Sequence, residues 1–328
     1  KEELNIDIKN TDLSELNNAI KNTIPFLQKK TLIVILSQVP PGFTNSINWP
    51  KDKLFYQVET LIFGDAFNRA LYPERIIIGA NQQKKLNVNL KNFLKKFTPN
   101  ILLMKYEEAE LTKISINLFL SSTISMTNIF SEYCEKNKLS WSKIIPALKL
   151  DKRIGKFSYL TPGLGISGGN LERDLMSFNK LLIQSKIDSN YIKEIIKFSQ
   201  KRKSWVIEKF KRNKNKNIKT IGIFGLAYKE NTHSIKNSPT IKLINYLSKF
   251  NFKIDIYDPL ISSYKSFNIL KKIDSKSSKY DCIIILNKSD YFHNLNKINL
   301  SNLKLLIDPY GVLKSSKNLN DKCKVFNF

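Results

Sequence analysis

The chain has 328 residues, 54 Lys plus Arg against 28 Asp plus Glu, three cysteines and a formal net charge of +26. At roughly 100–200 residues per domain this predicts two or three domains, each able to bury a core. No run of about 18 apolar residues occurs, because the most apolar segment, ILLMKYEEAELTKISINLFLSSTISMTNIF, carries Lys105, Glu107, Glu108, Glu110 and Lys113; three scattered cysteines without a CxxC pair exclude a disulfide framework and a zinc ribbon.

The opening segment, KEELNIDIKNTDLSELNNAIKNTIPFLQKK, reads as loop plus helix. Four short apolar runs follow, TLIVILS at 31–37, LFYQV at 54–58, RIIIG at 75–79 and ILLMK at 101–105, with amphipathic stretches between some of them. They predict buried strands of an α/β unit. From 106 to about 212 no strand signal survives and apolar positions recur at helical spacing. The polar, basic NKNKN at 213–217 predicts a linker. Beyond it TIGIFG, KIDIYD, DCIIILN and LKLLIDP are again strands, and SPTIKLINYLSKF is a helix with Ser238 as N-cap and Pro239 at its start. The predicted domains are therefore 1–105, 106–212 and 213–328.

A dinucleotide-binding half opens with a strand, G-x-G-x-x-G and a helix, followed by an acid about 20 positions on. Nothing before Thr31 supplies this, and the first residue is Lys1. The expectation is a first domain lacking its opening βαβ portion of roughly 90 residues.

Only six of the 54 basic residues are Arg, and the Lys surplus travels with many Asn and Ile. That skew reads as a compositional bias on a solvated surface. A nucleic-acid reader leans on Arg for bidentate contacts, and neither zinc-finger spacing nor an RNP-like aromatic run is present. A basic nucleic-acid binder therefore ranks well behind a solvated basic surface, and a third option is that positive potential draws a polyanionic small molecule such as a nucleotide diphosphate.

Three segments carry candidate chemistry. LTPGLGISGGNLERDL at 160–175 places Gly163, Gly165, Gly168 and Gly169 before a helix starting near Asn170, with Asp174 at i+4. Such a turn either brings backbone N–H groups to an anion or is simply a glycine-rich turn capped by Asn170. AELTKISIN sets Glu110, Lys113 and Asn117 at i, i+3 and i+7 of one helix face, and a desolvated lysine there can act as base or oxyanion partner. An exposed polar stripe with a Glu–Lys pair explains the same spacing. IGIFGLAYKENTHSIKNSPTIKLINYL places Gly222 and Gly225 at a strand-to-helix junction, Lys229 and Lys236 within reach of phosphates, and Asp258 at the end of the next strand, where ribose-binding acids sit.

Taken together and in this order, PERIIIG, AExxKxxxN, D-x-R-I-G (Asp151 to Gly155), PGxGxxGGxxxxD, GLAYKxNTxxxKxSP and YDP resemble the UDP-glucose/GDP-mannose dehydrogenase family over essentially the whole chain. The resemblance implies two Rossmann-like domains, the first incomplete here, bridged by a helical central dimerisation region. It implies NAD in the first domain, a nucleotide-diphosphate sugar in the last, a homodimer or higher homo-oligomer, and cytoplasmic polysaccharide biosynthesis. The reaction would oxidise a sugar alcohol to a carboxylate in two hydride transfers. Lys113 matches the lysine that stabilises the oxyanion, Asn117 the amide that assists it, and Asp174 the aspartate that positions a water or the lysine. Arg153 matches an arginine reaching a neighbouring subunit's substrate, Lys229 the lysine of the F/Y-K motif, and Glu59 the first glutamate of P-E-F-L-R-E-G. Gly163, Gly165, Gly168 and Lys236 join the substrate-binding set, and Ser37, Gln38, Glu59 and Lys236 the cofactor-binding set.

Departures from the pattern fall at particular steps. Asn170 stands where the family's G-F-G-G-x-C-F-P-K-D cysteine attacks the aldehyde, and an amide cannot form that adduct. The second glutamate of P-E-F-L-R-E-G falls on Phe63, the threonine of S-T-V-P on Gln38, and the arginine after the last strand on Tyr310; Lys236 and Ser234 replace an arginine and an aspartate of T-D-D-x-R-x-S-P. First-step residues survive while those of the acyl and hydrolytic steps are gone. Two readings follow: an oxidoreductase that stops at a two-electron product, or a non-catalytic homologue that binds a nucleotide sugar.

Overall fold

The structure is a computed structural model and describes residues 13–62, 65–81, 86–273, 280–297, 300–313 and 323–328. The chain divides into two compact units, Lys1–Phe119 with Arg173–Asp188, and Leu120–Glu172 with Ser189–Phe328. Helix α1 (Ser14–Thr23) is followed by β1 (Ile33–Ile35), α2 (Phe43–Ser46), β2 (Leu54–Gln57), α3 (Ala66–Leu71), β3 (Ile76–Gly79), α4 (Val88–Leu94) and β4 (Ile101–Met104). Five helices then run without an intervening strand: α5 (Tyr106–Lys136), α6 (Trp141–Leu150), α7 (Asn170–Gln184), α8 (Asn190–Lys203) and α9 (Trp205–Asn213). Both α5 and α7 contribute residues to each unit.

In the first unit the sheet order is β1-β2-β3-β4. The β1–β2 and β3–β4 pairs are parallel, whereas β2 and β3 pair antiparallel through Tyr56↔Gly79 and Gln57↔Ile78. Both sheet faces are apolar because successive side chains point to opposite sides. Ile35, Leu54, Tyr56 and Ile77 pack with Tyr106 and Ala109 of α5 on one side, and Phe55, Ile76 and Ile78 pack with Leu90 and Leu94 of α4 on the other. An added Cβ at Gly79 would meet the Ala109 Cβ at 2.9 Å. A glycine there lets the start of α5 lie directly on the strand end.

The second unit continues with β5 (Thr220–Phe224), α10 (Pro239–Leu247), β6 (Lys253–Tyr257), β7 (Asn268–Ile269), β8 (Cys282–Ile285), β9 (Leu305–Ile307) and β10 (Lys324–Phe326). They form a fully parallel sheet of order β10-β9-β8-β5-β6-β7. Ile221, Ile223, Cys282, Ile284, Leu305 and Ile307 face α9 and α10, while Ile283, Ile285 and Leu306 face Phe292, Leu295 and Leu300. The Ser238 hydroxyl accepts from the Thr240 N–H at 3.2 Å, the expected N-cap of α10. Every strand expected from an apolar run forms, shortened at its ends. Strands β7 and β10, of two and three residues, are too short for periodicity to announce.

Candidate active site

Strand β4 leads through Lys105 directly into α5, so the first two turns of that helix carry Glu110 and Lys113 into the first unit. Glu110 is fully buried, and its carboxylate accepts the backbone N–H groups of Gly42 at 2.6 Å and Thr44 at 2.8 Å. Burial pushes its pKa up and these bonds oppose the rise. The expected Glu–Lys pair on an exposed stripe is thus not what forms: Glu110 holds the 42–44 turn, and Lys113 turns elsewhere. Gly42 sits at φ +92°, where a side chain would be strained.

Lys113 Nζ donates to the backbone carbonyl of Glu59. Burial lowers its pKa, the charges of Asp174 and Glu59 act against that, and Arg173 adds to it. Asn117 Nδ2 donates to Asp174 Oδ2, and Asp174 is almost fully buried. Its pKa is raised by burial and held back by hydrogen bonds from Asn117 and the Gln38 side chain and by the charges of Arg173 and Lys113. The first unit therefore brings together Lys113, Asn117, Asp174, Glu59 and Gln38, residues spread over 137 positions of sequence.

Arg173 was not among the sequence candidates and belongs to this cluster. Its Nη2 donates to Gln38 Oε1 at 2.6 Å and its Nε lies 3.6 Å from Asp174 Oδ1. The signal available was its place one residue before Asp174, the basic position of the family segment. Tyr56 was also missed. It is buried on β2 under the charges of Glu110 and Asp174, and with burial these push its phenol above the ordinary range. Ser37 is exposed, Glu59 is half-buried with Oε1 accepting from Thr60 N at 2.7 Å, and Phe63 lies outside the described residues.

In the second unit the glycine-rich segment is fixed from both ends. Gly165 has φ +82° and an added Cβ would stand 2.6 Å from Ser199 O; Gly168 has φ +83° and a Cβ would press the Tyr228 ring at 3.0 Å. Gly163 N–H donates to Asn128 Oδ1 at 2.8 Å, and Gly168 N–H to Lys236 O at 3.2 Å. The 160–175 and 222–239 motifs, read separately in sequence, thus meet at Gly168, Tyr228 and Lys236. Helix α7 begins at Asn170, which is exposed. Glu172 in its first turn accepts from Gln200 at 2.5 Å, Asn237 at 2.6 Å and Lys203 at 3.2 Å, anchoring that start.

The remaining candidates sit as follows. Burial lowers the pKa of Lys229, opposed by Glu230, and its amine lies 5.8 Å from the Tyr228 ring centre. Lys236 is exposed with its stem over Gly169. Arg153 is exposed and bound to Asp151, with Nη2 2.7 Å from Oδ2. Asp258 is corrected: it is buried and accepts the backbone N–H groups of Leu226 and Ala227, each at 2.9 Å, so it orders the turn after β5 rather than offering a free carboxylate to a ribose. Tyr310, Lys288, Thr161, Pro162 and Trp141 line a cavity of about 430 Å³.

The Gly42 turn of the first unit does not cradle the diphosphate of a dinucleotide. The N–H of Gly42 is taken by Glu110, and the helix that follows it has four residues.

Sequence and fold comparisons agree with this anatomy. The profile of the UDP-glucose/GDP-mannose dehydrogenase family, central domain, matches residues 107–201, and that of the same family's UDP binding domain matches residues 222–315. The UDP-glucose 6-dehydrogenase of Rickettsia bellii is 30% identical over 331 residues, covering 93% of this chain and 75% of that protein. The UDP-N-acetyl-D-mannosamine dehydrogenase of Methanocaldococcus jannaschii is 25% identical over 316 residues, covering 93% and 72%. In fold, the UDP-glucose dehydrogenase of Pyrobaculum islandicum superposes with a TM-score of 0.79 at 21% identity, over 97% of this chain and 75% of that one. The two matched profiles and the length of the Rickettsia match place this chain in the UDP-glucose/GDP-mannose dehydrogenase family.

Proposed function

We propose that this protein oxidises the sugar of a UDP- or GDP-sugar by two electrons and stops at an aldehyde or ketone. The observation that carries the reading is the hydrogen-bonded Lys113, Asn117 and Asp174 cluster of the first unit. Members of this family are oxidoreductases that use NAD as cofactor. NAD, when bound, would accept the hydride from the carbinol carbon while the hydroxyl proton passes to solvent, leaving NADH and a C=O bond. Lys113, beside Asp174 and tied to Glu59 O, is suited to balancing the charge that develops on that oxygen, as Asn117 is to fixing the aspartate.

A second oxidation in the family manner needs a thiolate to form a thiohemiacetal. Asn170 at the start of α7 offers an amide instead. Burial pushes the Cys282 thiol well up and the Cys323 thiol to about 11, and Cys134 is buried, so the cysteines present make poor nucleophiles. The match to the UDP binding domain supports uridine as the nucleoside, and the names of the relatives support a hexose or an N-acetylhexosamine. We place the nucleoside diphosphate in the second unit near Tyr310 and Lys288, with Lys229 and Lys236 as further cations. A second copy of this chain is the proposed partner and the cytoplasm the proposed compartment; among the described residues no helix is long and apolar enough to cross a membrane.

The test is a hydride count. Incubating the full natural chain with NAD and a panel of UDP- and GDP-sugars should give one NADH per sugar consumed. Two would overturn the two-electron reading. None, with tight sugar-nucleotide binding, would make the protein a binding homologue.

A further inference from the structure

The Asp174 carboxylate is surrounded by donors from its own chain. Oδ2 accepts from Asn117, the Gln38 side-chain amide hydrogen-bonds the carboxylate, and Arg173 Nε lies 3.6 Å from Oδ1. Arg173 Nη2 in turn donates to Gln38 Oε1 at 2.6 Å, so the amide of Gln38 spans the two charged neighbours. The Asp174 side chain is 2% exposed. A carboxylate that activates water needs a lone pair open to that water at about 2.6–3.2 Å. Here Asn117 of α5 and Gln38 of the loop after β1 supply donors, Arg173 of α7 adds a positive charge 3.6 Å away, and solvent has almost no access.

We propose that Gln38 and Arg173 are positioning residues that hold the buried Asp174 carboxylate against protein groups and away from solvent, so that Asp174 serves as counter-charge to Lys113 and does not act as a base toward water. This rests on the two-electron reading and deepens it. It adds a second obstacle to the acid product, separate from Asn170: even an enzyme-bound thioester would lack an activated water. The charged and titratable groups around the pair are Glu59 at the end of β2, Arg173 on α7, and Tyr56 on β2, with Glu110 beyond Tyr56.

The test uses the full chain labelled with carboxyl-¹³C aspartate, the Asp174 resonance being identified by its loss in Asp174→Asn. Gln38→Met keeps the length of the side chain and removes both amide contacts. The Asp174 titration midpoint should rise by about one pH unit in that variant, since a donor favouring the anion has been lost. Arg173→Lys keeps a positive charge but loses the geometry of the Nη2 bond, and should raise the midpoint less. An unchanged midpoint in both variants overturns the inference. Product release gives an independent arm: Asn170→Cys should give a second NADH only as a burst of about one per protein chain and then stall with the acyl group held on the new thiol, and steady turnover of this variant to the free acid would overturn the inference while leaving the two-electron reading of the wild-type protein standing. Two NADH from the wild-type protein would overturn that reading and the inference with it.

Discussion

Asn117 on α5 donates its side-chain amide to Asp174 on α7, across 57 positions of sequence. The bond fixes the carboxylate beside Lys113, whose lowered pKa reflects burial set against the charge of Asp174 and Glu59. Removing the charge while keeping an acceptor, as in Asp174→Asn, should therefore lower the Lys113 pKa further. Competitive acylation of Lys113 followed by mass spectrometry across pH reads this directly. The labelling midpoint should lie below the ordinary lysine value in the wild-type protein and lower still in Asp174→Asn. The ammonium that balances the oxyanion is lost as pH rises through this midpoint, so the alkaline limb of any activity should move to lower pH in the same variant. Equal midpoints would show that Asp174 is not the counter-charge.

Much of this arrangement was legible in sequence because it depends on local spacing. The i, i+3, i+7 pattern put Glu110, Lys113 and Asn117 on one helix, apolar runs gave the strands, and Ser238 before Pro239 gave the start of α10. What spacing could not supply was direction. Nothing in AELTKISIN says that Glu110 points at the backbone of 42–44, or that Lys113 and Asn117 turn to Glu59 and Asp174, because those partners lie 50 or more residues away. The antiparallel β2–β3 pair was equally hidden, since two continuous apolar strands read alike in either orientation. Asp258 illustrates the opposite error, a correct position at a strand end given a ligand role when its oxygens close a turn.

Glu110 yields a stability prediction. Glu110→Ala leaves the Gly42 and Thr44 N–H groups buried without their acceptor and should cost about 2–4 kcal/mol, measured by urea unfolding. Glu110→Gln retains one acceptor oxygen and should cost less. Because burial raises the folded-state pKa above the ordinary 4.5, the contribution of this carboxyl is fully present below that value and declines as pH rises through the folded pKa. The advantage of the wild-type protein over Glu110→Gln should shrink over that window; a constant difference across pH would contradict the raised pKa.

Asp281 behaves in the opposite sense. Its Oδ2 accepts from the backbone N–H groups of Lys219 and Thr220 and from the Thr220 hydroxyl, and Oδ1 pairs with Lys304, so the carboxylate ties the start of β5 to the edge of β9. Although burial acts to raise it, the Lys304 bond and the backbone donors pull its pKa from 3.8 down to about 2. A depressed folded pKa contributes stability that is present above 3.8 and disappears as pH falls through about 2. Asp281→Ala should lower stability by roughly 1–2 kcal/mol near neutral pH, allowing for partial solvent screening of the ion pair, and the difference should close below about pH 2. Urea midpoints at a series of pH values decide the matter, and a gap that persists in acid would assign the loss to packing instead.

The long helix α5 carries an apolar stripe that the described residues leave open. Met126, Ile129 and Tyr133 follow helical spacing and are 51%, 44% and 59% exposed, and Leu139 just beyond the helix is 55% exposed. Scattered apolar residues are ordinary on a surface, but a contiguous row on one helix face is what a two-fold interface buries, each copy presenting the same patch. Phe130, half exposed in the same row, is stacked on Trp141 with ring centres 5.5 Å apart and helps hold α6 against this face. Light scattering on a sizing column should therefore give the mass of two 38.0 kDa chains at micromolar concentration. Met126→Glu with Tyr133→Glu buries two carboxylates in such an interface and should shift the species to one chain without unfolding it, since neither side chain belongs to the core. A double variant that still elutes as two chains would move the interface to another face, and a wild-type protein that elutes as one chain would remove the dimer.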